Sequence, residues 1–203
     1  MTDKFQININ NLIEEFNFKG VKKFKLIILF GLLGDFDSFE YAINLKNFIN
    51  NHKNKNLDIF AVAIGSQNGK EKFCKFTGFI EENLKIVPNN QVHNALKISS
   101  GLDIGLGGWI NMMLMLSGIN SFKTIKEVFR GYTGDRKAKQ IYSKFEKIEF
   151  LNFLEFSGNS FNQIFGNGYL RPFELATFRL NNMNEIIKNW GDYILHEKYL
   201  PQR

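Results

Sequence analysis

The sequence predicts an α/β protein, on the strength of two apolar runs and the helical segment between them. Residues 24–30 (FKLIILF) and 57–64 (LDIFAVAI) are β-rich apolar runs that are too short for helices and are closed by Gly31 and Gly65. Between them, apolar residues recur near helical spacing over 39–49. Near-continuous apolar strands are typical of parallel sheets that are buried on both faces. We therefore expect a right-handed βαβ unit at the start of the fold.

The other elements of the first two thirds of the chain alternate with polar segments. In chain order, they are a short helix near 10–18, a helix over 69–76, a short strand over 84–87, a short helix over 91–96 and two apolar helices over 109–116 and 121–129. Pro88 follows the short strand, and Gly118 and Gly131 follow the two apolar helices.

The C-terminal part is predicted to be mainly helical. Residues 143–168 are predicted as a loop, and Pro172 then opens an amphipathic helix that reaches Ile194. A chain of 203 residues, 44% hydrophobic and 23% charged, is long enough to bury a core without disulfides or metals. We expect one domain over 1–203, with a polar segment at 1–20 and a helical extension at 143–203.

The numbers and spacing of the cysteines and histidines limit which disulfides and metal sites the chain can form. Cys74 is the single cysteine, which excludes an intrachain disulfide and a cysteine-cluster zinc site. The three histidines, His52, His93 and His196, lack ligand spacing, so we predict no metal and no cofactor, and we expect His93 to be exposed in a polar helix. The start of the chain has no signal-peptide pattern, and no apolar run approaches the ~18 residues of a membrane span. A reducing compartment, the cytoplasm, is therefore expected.

The charge balance does not indicate nucleic-acid binding. The formal net charge is +6, but the lysines form only short runs among acidic residues and asparagines, such as 22–25 and 53–55. Runs of this length are typical of solvated surfaces. We predict no nucleic-acid partner, and the sequence does not indicate an oligomeric state.

The loop 31–40 is the best-placed segment for a binding site. It joins the first strand to its helix and carries Asp35, Asp37 and Ser38. In open α/β sheets, ligands bind at the carboxyl ends of strands, where helix N-termini favour anions. The alternative is local: Asp37 as the N-cap residue, with Glu40 three residues later, has the pattern of a capping box.

Arginine is rare in this chain, and its positions are concentrated. The sequence leaves two roles open for these arginines. In the first, Arg130, Arg136 or Arg171 turns back over the aspartates of the loop 31–40 and forms a polar pocket or a patch for a partner, because lysine cannot reproduce the planar fork of arginine. In the second, they pair with acids such as Asp135 and Glu174 in a structural network. Four of the five arginines lie within fifty residues: Arg130, Arg136, Arg171 and Arg179.

Four segments carry a resemblance to a known class of proteins: residues 24–49, GKEKFCKFTGF (69–79), RGYTGDR (130–136) and RPFELATFRL (171–180). Together they resemble the peroxiredoxin-like proteins of the AhpC/TSA (alkyl hydroperoxide reductase/thiol-specific antioxidant) class. The similarity covers about residues 20–203 and is closest to a branch associated with photosynthetic lineages, which adds the plastid stroma as a compartment. It implies a thioredoxin-like sheet flanked by helices and an antioxidant, thiol-redox activity.

The sequence departs from this class where the redox chemistry is expected. In this class, the helix that follows the strand equivalent to residues 24–30 opens with a nucleophilic cysteine, because the helix N-terminus stabilises a thiolate. By the resemblance, the two cysteine positions fall on Asp35 and Ser38. A carboxylate can occupy such a helix end, but it cannot be oxidised to a sulfenic acid or a disulfide.

Two functions therefore remain. The first is a non-catalytic binding or assembly module that contacts a protein or a small anion with the loop 31–40. The second is a one-cysteine thiol peroxidase that uses Cys74, whose pKa the flanking Lys70, Lys72 and Lys75 would lower in an exposed site. Cys74 also fits an inert core thiol. Beyond Arg203 the resemblance implies a further short strand, without which a sheet edge would be left as a pairing surface.

Overall fold

The structure, a computed structural model, describes residues 12–52, 56–98, 140–150, 154–160 and 171–186. The chain divides into two units, residues 1–101 with 196–203 and residues 102–195, and each is described by itself. The expectation of one domain stays a prediction.

The first unit is built on a sheet of three parallel strands in the order β1-β2-β3. This confirms the α/β class, and the strands predicted at 57–64 and 84–87 are confirmed residue for residue. In chain order, its elements are α1 (Leu12–Glu15), β1 (Phe24–Leu32), α2 (Phe36–His52), β2 (Leu57–Ile64), α3 (Gln67–Thr77), a 3₁₀ turn (Glu81–Asn83), β3 (Leu84–Val87) and α4 (Gln91–Ala95).

Helices α2 and α3 cover one face of this sheet through an aromatic core. The ring of Phe39 lies 4.9 Å from Phe73 and 5.3 Å from Phe76, between ring centroids. Phe30 of β1 meets Phe73 edge-on at 5.8 Å. Phe39 and Phe73 are fully buried. Because strand order follows chain order, the described sheet has no point at which that order reverses, the usual position of a ligand crevice in α/β folds.

The opposite face of the sheet is covered by the segment that precedes β1. Phe18 stacks on Phe60 of β2, with ring centroids 4.6 Å apart. The backbone N–H of Lys22 donates to a carboxylate oxygen of Asp58 at 2.8 Å, and its ammonium lies 3.7 Å from the other oxygen. Leu12 of α1 is buried as well. The sheet is therefore packed on both faces, as its continuous apolar strands predict.

Strand β1 contains a bulge near its carboxyl end. Leu29 pairs with Val62 and Leu32 pairs with Ile64, so Phe30 and Gly31 together lie opposite one residue of β2. The prediction that the strand ends before Gly31 is wrong, since the strand continues for two residues beyond Phe30. A glycine inside a strand often marks a bulge rather than its end.

The described part of the second unit contains an antiparallel hairpin and a helix. The strands are β4 (Lys147–Phe150) and β5 (Leu154–Ser157). The prediction of a loop over 143–168 is wrong for the residues of these two strands. The sequence does not reveal them because the hairpin is largely exposed and lacks an apolar run. Helix α5 (Arg171–Ile186) begins one residue before the predicted start. The helices predicted at 109–116 and 121–129 lie outside the described residues.

Helix α3 ends at Gly78, and replacing this glycine tests that end. Its backbone has a left-handed φ of 73°, and its N–H donates to the carbonyl of Cys74 at 2.7 Å. A Cβ at this position would also meet the side chain of Lys46. We expect Gly78→Ala to destabilise the first unit by about 1–2 kcal/mol, measured by urea unfolding. Gly78→Asn, the matched control, should cost less because asparagine tolerates this conformation, and equal costs would contradict the account.

Candidate functional site

The loop between β1 and α2 is fixed on the carboxyl end of β2. The N–H of Leu33 donates to the carbonyl of Ile64 at 2.9 Å, and the N–H of Asp35 donates back to the carbonyl of Leu32 at 3.1 Å. Gly34 has a φ of 110°, which a residue with a side chain rarely adopts. The chain therefore turns sharply and enters α2 at once.

Asp35 occupies the N-cap position of α2. The helix begins at Phe36, and the Asp35 carbonyl accepts a 3.3 Å hydrogen bond from the N–H of Phe39. The prediction of Asp37 as N-cap residue is wrong by two positions, because the turn at Gly34 starts the helix earlier. A carboxylate at a helix N-terminus lies at the positive end of the helix dipole. Ser38 is buried in the first turn, and the side chain of Asp37 lies outside the described part.

Helix α3 starts in the same way at the end of the neighbouring strand. Ser66 is its N-cap residue, and the Ser66 hydroxyl accepts from the N–H of Gly69 at 3.0 Å. The N–H of Gly65 donates to the carbonyl of Val87 at 3.0 Å, which ties this turn to β3. The predicted start at Gly69 misses two residues. The N-termini of α2 and α3 therefore follow directly from the carboxyl ends of adjacent strands.

His93 reaches the same end of the sheet from α4. Its Nε2 lies 2.7 Å from the carbonyl oxygen of Phe30, beside the β1 bulge, and only 1% of the residue is exposed. Because a carbonyl only accepts hydrogen bonds, Nε2 carries the proton. Nδ1 is then a bare acceptor, and it has no hydrogen-bond partner among the described residues.

The electrostatics of His93 follow from this burial. Desolvation lowers the pKa of its imidazole below the ordinary value of 6.5, and the hydrogen bond to Phe30 opposes that shift. The expectation of an exposed His93 is wrong. The polar residues around it, Asn90, Gln91 and Asn94, disguise a buried position, and only its place just beyond β3 indicates that it lies at the end of the sheet.

Cys74 lies on the buried side of α3. Its pKa is raised to about 11 by burial first and by the negative charge of Glu81 second, while Lys70 lowers it. The thiol is eight residues past Ser66, or about 12 Å along the helix, so the positive end of α3 has little effect on it. At neutral pH, Cys74 is a protonated thiol in a protein core.

The predicted arginine cluster is described only in part. Arg130 and Arg136 lie outside the described residues, and Arg171 opens α5 with a side chain that is not described. Glu174, proposed as a partner of the guanidinium groups, is buried and accepts the backbone N–H groups of Ile141 and Tyr142 at 2.7 and 2.8 Å. Its carboxylate therefore fixes the turn before β4 to α5.

The described residues contain no cluster of three or more histidine, cysteine or acidic side chains that is suited to a metal ion. None of the described helices is both long enough and apolar enough to cross a membrane. No family model, curated protein or solved structure matches the chain.

Proposed function

We propose that this chain is a thioredoxin-like, peroxiredoxin-related protein without redox chemistry, which acts as a binding or assembly module through the loop 31–40. The observation that carries the proposal is Asp35 at the N-cap of α2. By the resemblance, this is the place of the nucleophilic cysteine. The parallel β1-α2-β2-α3-β3 order, with α2 and α3 each starting at a strand end, is compatible with an α/β fold.

The state of Cys74 favours the binding module over a one-cysteine peroxidase. A peroxidatic cysteine attacks as a thiolate and must be reached by peroxide and by the reducing thiol. Cys74 is buried, its pKa is raised to about 11, and it is remote from the N-terminus of its helix. Each of these properties lowers its reactivity.

The negative charge of the Asp35 carboxylate favours a protein partner over a small anion. A helix N-terminus attracts anions, but a carboxylate at that end already offsets its positive charge. A protein that presents N–H or cationic groups is therefore better matched to the loop 31–40 than a small free anion. The backbone there is held by two hydrogen bonds, so little conformational freedom is lost on binding.

Installing a thiol at the helix N-terminus tests the proposal. In a Cys74→Ala background, Asp35→Cys should react with iodoacetamide at neutral pH at least about 100-fold faster than Cys74 of the natural chain, because the helix end lowers the thiol pKa. The matched control is Glu40→Cys in the same background, which places a thiol one turn further along α2. The pKa of each introduced thiol follows from the pH dependence of this reaction. Equal pKa values at positions 35 and 40 would overturn the assignment of this helix end as a former thiolate site.

Peroxide turnover separates the two functions. With hydrogen peroxide and an excess of dithiothreitol, the natural chain should consume peroxide no faster than Cys74→Ala. Turnover that requires Cys74 would establish the one-cysteine peroxidase and end the binding-module proposal.

A further inference from the structure

The outer edge of β1 is not paired with any strand that the structure describes in the first unit. β1 stands at the end of the strand order, and among residues 12–52 and 56–98 no strand pairs with its outer side. The N–H of Phe24 points toward β2, since it donates to the carbonyl of Asn56 at 2.9 Å. Backbone groups alternate along a strand, so those of Lys25, Ile27 and Leu29 point outward. This edge offers a ladder of three successive donor and acceptor pairs.

Apolar side chains flank this edge on the helix-covered face of the sheet. Phe24 is 57% exposed, and Leu26 is exposed as well. Both alternate with Lys25, so they lie on the same face as Phe30, which contacts α3. Large apolar side chains on an edge strand are usually covered in a folded protein.

Helix α2 continues this apolar surface. Tyr41, 56% exposed, meets Phe30 edge-on at 6.4 Å between ring centroids. Phe48 and Ile49 follow seven and eight residues later on the same side of the helix, about 10 Å along its axis. Leu26 lies four residues, about 13 Å, back from Phe30 along β1. Because α2 connects two parallel strands, it runs back along β1, so its exposed apolar residues continue from the Tyr41–Phe30 contact toward the start of β1.

The start of β1 is positively charged. Lys19, Lys23 and Lys25 are exposed, and the ammonium of Lys23 lies 5.4 Å from the centre of the Phe24 ring. Lys22 is already paired with Asp58. The β1 edge surface, defined here as the outer edge of β1 with the flanking exposed residues of α2, is thus apolar along its length and basic at one end.

We propose that the β1 edge surface binds an extended, acidic segment of a partner protein, which adds a fourth strand to the sheet. Its backbone pairs with Lys25, Ile27 and Leu29. Its apolar side chains cover Phe24 and Leu26, and its carboxylates lie beside Lys23 and Lys25. Strand addition gives affinity through main-chain hydrogen bonds and specificity through alternate side chains. This proposal is independent of the function proposed for the loop 31–40.

Charge favours such a partner over a second copy of the chain. A second copy would present the same strand, FKLIILFGL, which contains no carboxylate for the lysines. Two copies each carry a net charge of +6 and repel each other. Lysines on an edge strand discourage pairing with an identical strand, while they attract an acidic one.

Peptide binding to the whole chain tests this inference. The probe is an acetylated octapeptide that alternates valine and glutamate, and the control alternates valine and lysine. We expect the glutamate peptide to bind at least about tenfold more tightly. In hydrogen exchange followed by NMR, it should protect the amides of Lys25, Ile27 and Leu29, whereas those of Leu26 and Ile28 should change little because they already point to β2.

Two variants sharpen the test. Lys23→Glu combined with Lys25→Glu changes only exposed side chains and should reverse the preference between the peptides, while Lys144→Glu, the control, should not. Ile27→Pro removes one outward donor and should weaken binding of the glutamate peptide. Equal binding of both peptides, or no protection of the three amides, would overturn the proposal. Protection that rises with protein concentration in the absence of peptide would assign the edge to a second copy instead.

Discussion

Replacing Phe73 by alanine is expected to destabilise the first unit by about 4 kcal/mol. Phe73 is fully buried and joins three elements, since its ring meets Phe39 of α2 at 4.9 Å and Phe30 of β1 at 5.8 Å. Alanine would lose the transfer free energy of the ring and leave a cavity that neighbouring aromatic rings cannot fill without moving.

Native-state hydrogen exchange of the buried β2 amides measures this loss. These amides exchange when the unit opens, so a loss of about 4 kcal/mol should accelerate their exchange about 1,000-fold. Phe73→Leu is the matched control, and it should cost about 1–1.5 kcal/mol because most of the volume is kept. An alanine variant that exchanges as slowly as the leucine variant would contradict the aromatic core described for this face.

Replacing His93 by alanine is expected to lower the free energy of unfolding of the first unit by about 3 kcal/mol. The substitution removes the donor to the carbonyl of Phe30, 2.7 Å away, and leaves a buried acceptor beside the β1 bulge without that partner. It also empties the volume of the ring. His93→Gln supplies a side-chain N–H and should recover part of the loss, measured by the same exchange experiment. Equal costs for alanine and glutamine would show that the hydrogen bond contributes nothing measurable.

The same residue should make stability depend on pH. The pKa of His93 is lowered in the folded chain, so below about pH 6.5 the unfolded chain binds a proton that the folded chain does not. Its stabilising contribution is therefore complete above that pH and is lost as the pH falls toward the folded-state pKa, with a limiting slope of about 1.4 kcal/mol per pH unit. The His93→Gln profile, subtracted from that of the natural chain between pH 5 and 7.5, should contain this slope. Parallel profiles would contradict it.

The sequence predicts the sheet best where the chain is apolar on both faces. β2 and β3 match their predicted limits because they are bounded by glycine, by proline or by polar residues. β1 exceeds its prediction because Gly31 serves a bulge, which periodicity does not distinguish from a strand end. The hairpin of β4 and β5 is missed because much of it faces solvent, and its short strands offer no continuous apolar run.

The candidate site is predictable in position but not in detail. Asp35 caps α2 and Ser38 lies in its first turn, at the carboxyl end of β1, as the strand–loop–helix pattern indicates. The N-cap residue is displaced from Asp37 because the turn at Gly34 depends on a positive φ, which a sequence pattern does not fix. His93 is missed because its burial follows from a long-range contact with Phe30, 63 residues away along the chain.

The reactivity of Cys74 tests most directly the central claim that this chain has no redox nucleophile. With its pKa raised from 9.0 to about 11, the thiolate at pH 7 is about 100-fold scarcer than for an ordinary thiol, and burial slows access further. Mass spectrometry should therefore show iodoacetamide modification of the native chain at least about 100-fold slower than of the chain unfolded in urea. Hydrogen peroxide should leave the native thiol unoxidised. Modification as fast in the native as in the unfolded chain, with formation of a sulfenic acid, would contradict the account and establish Cys74 as a peroxidatic residue.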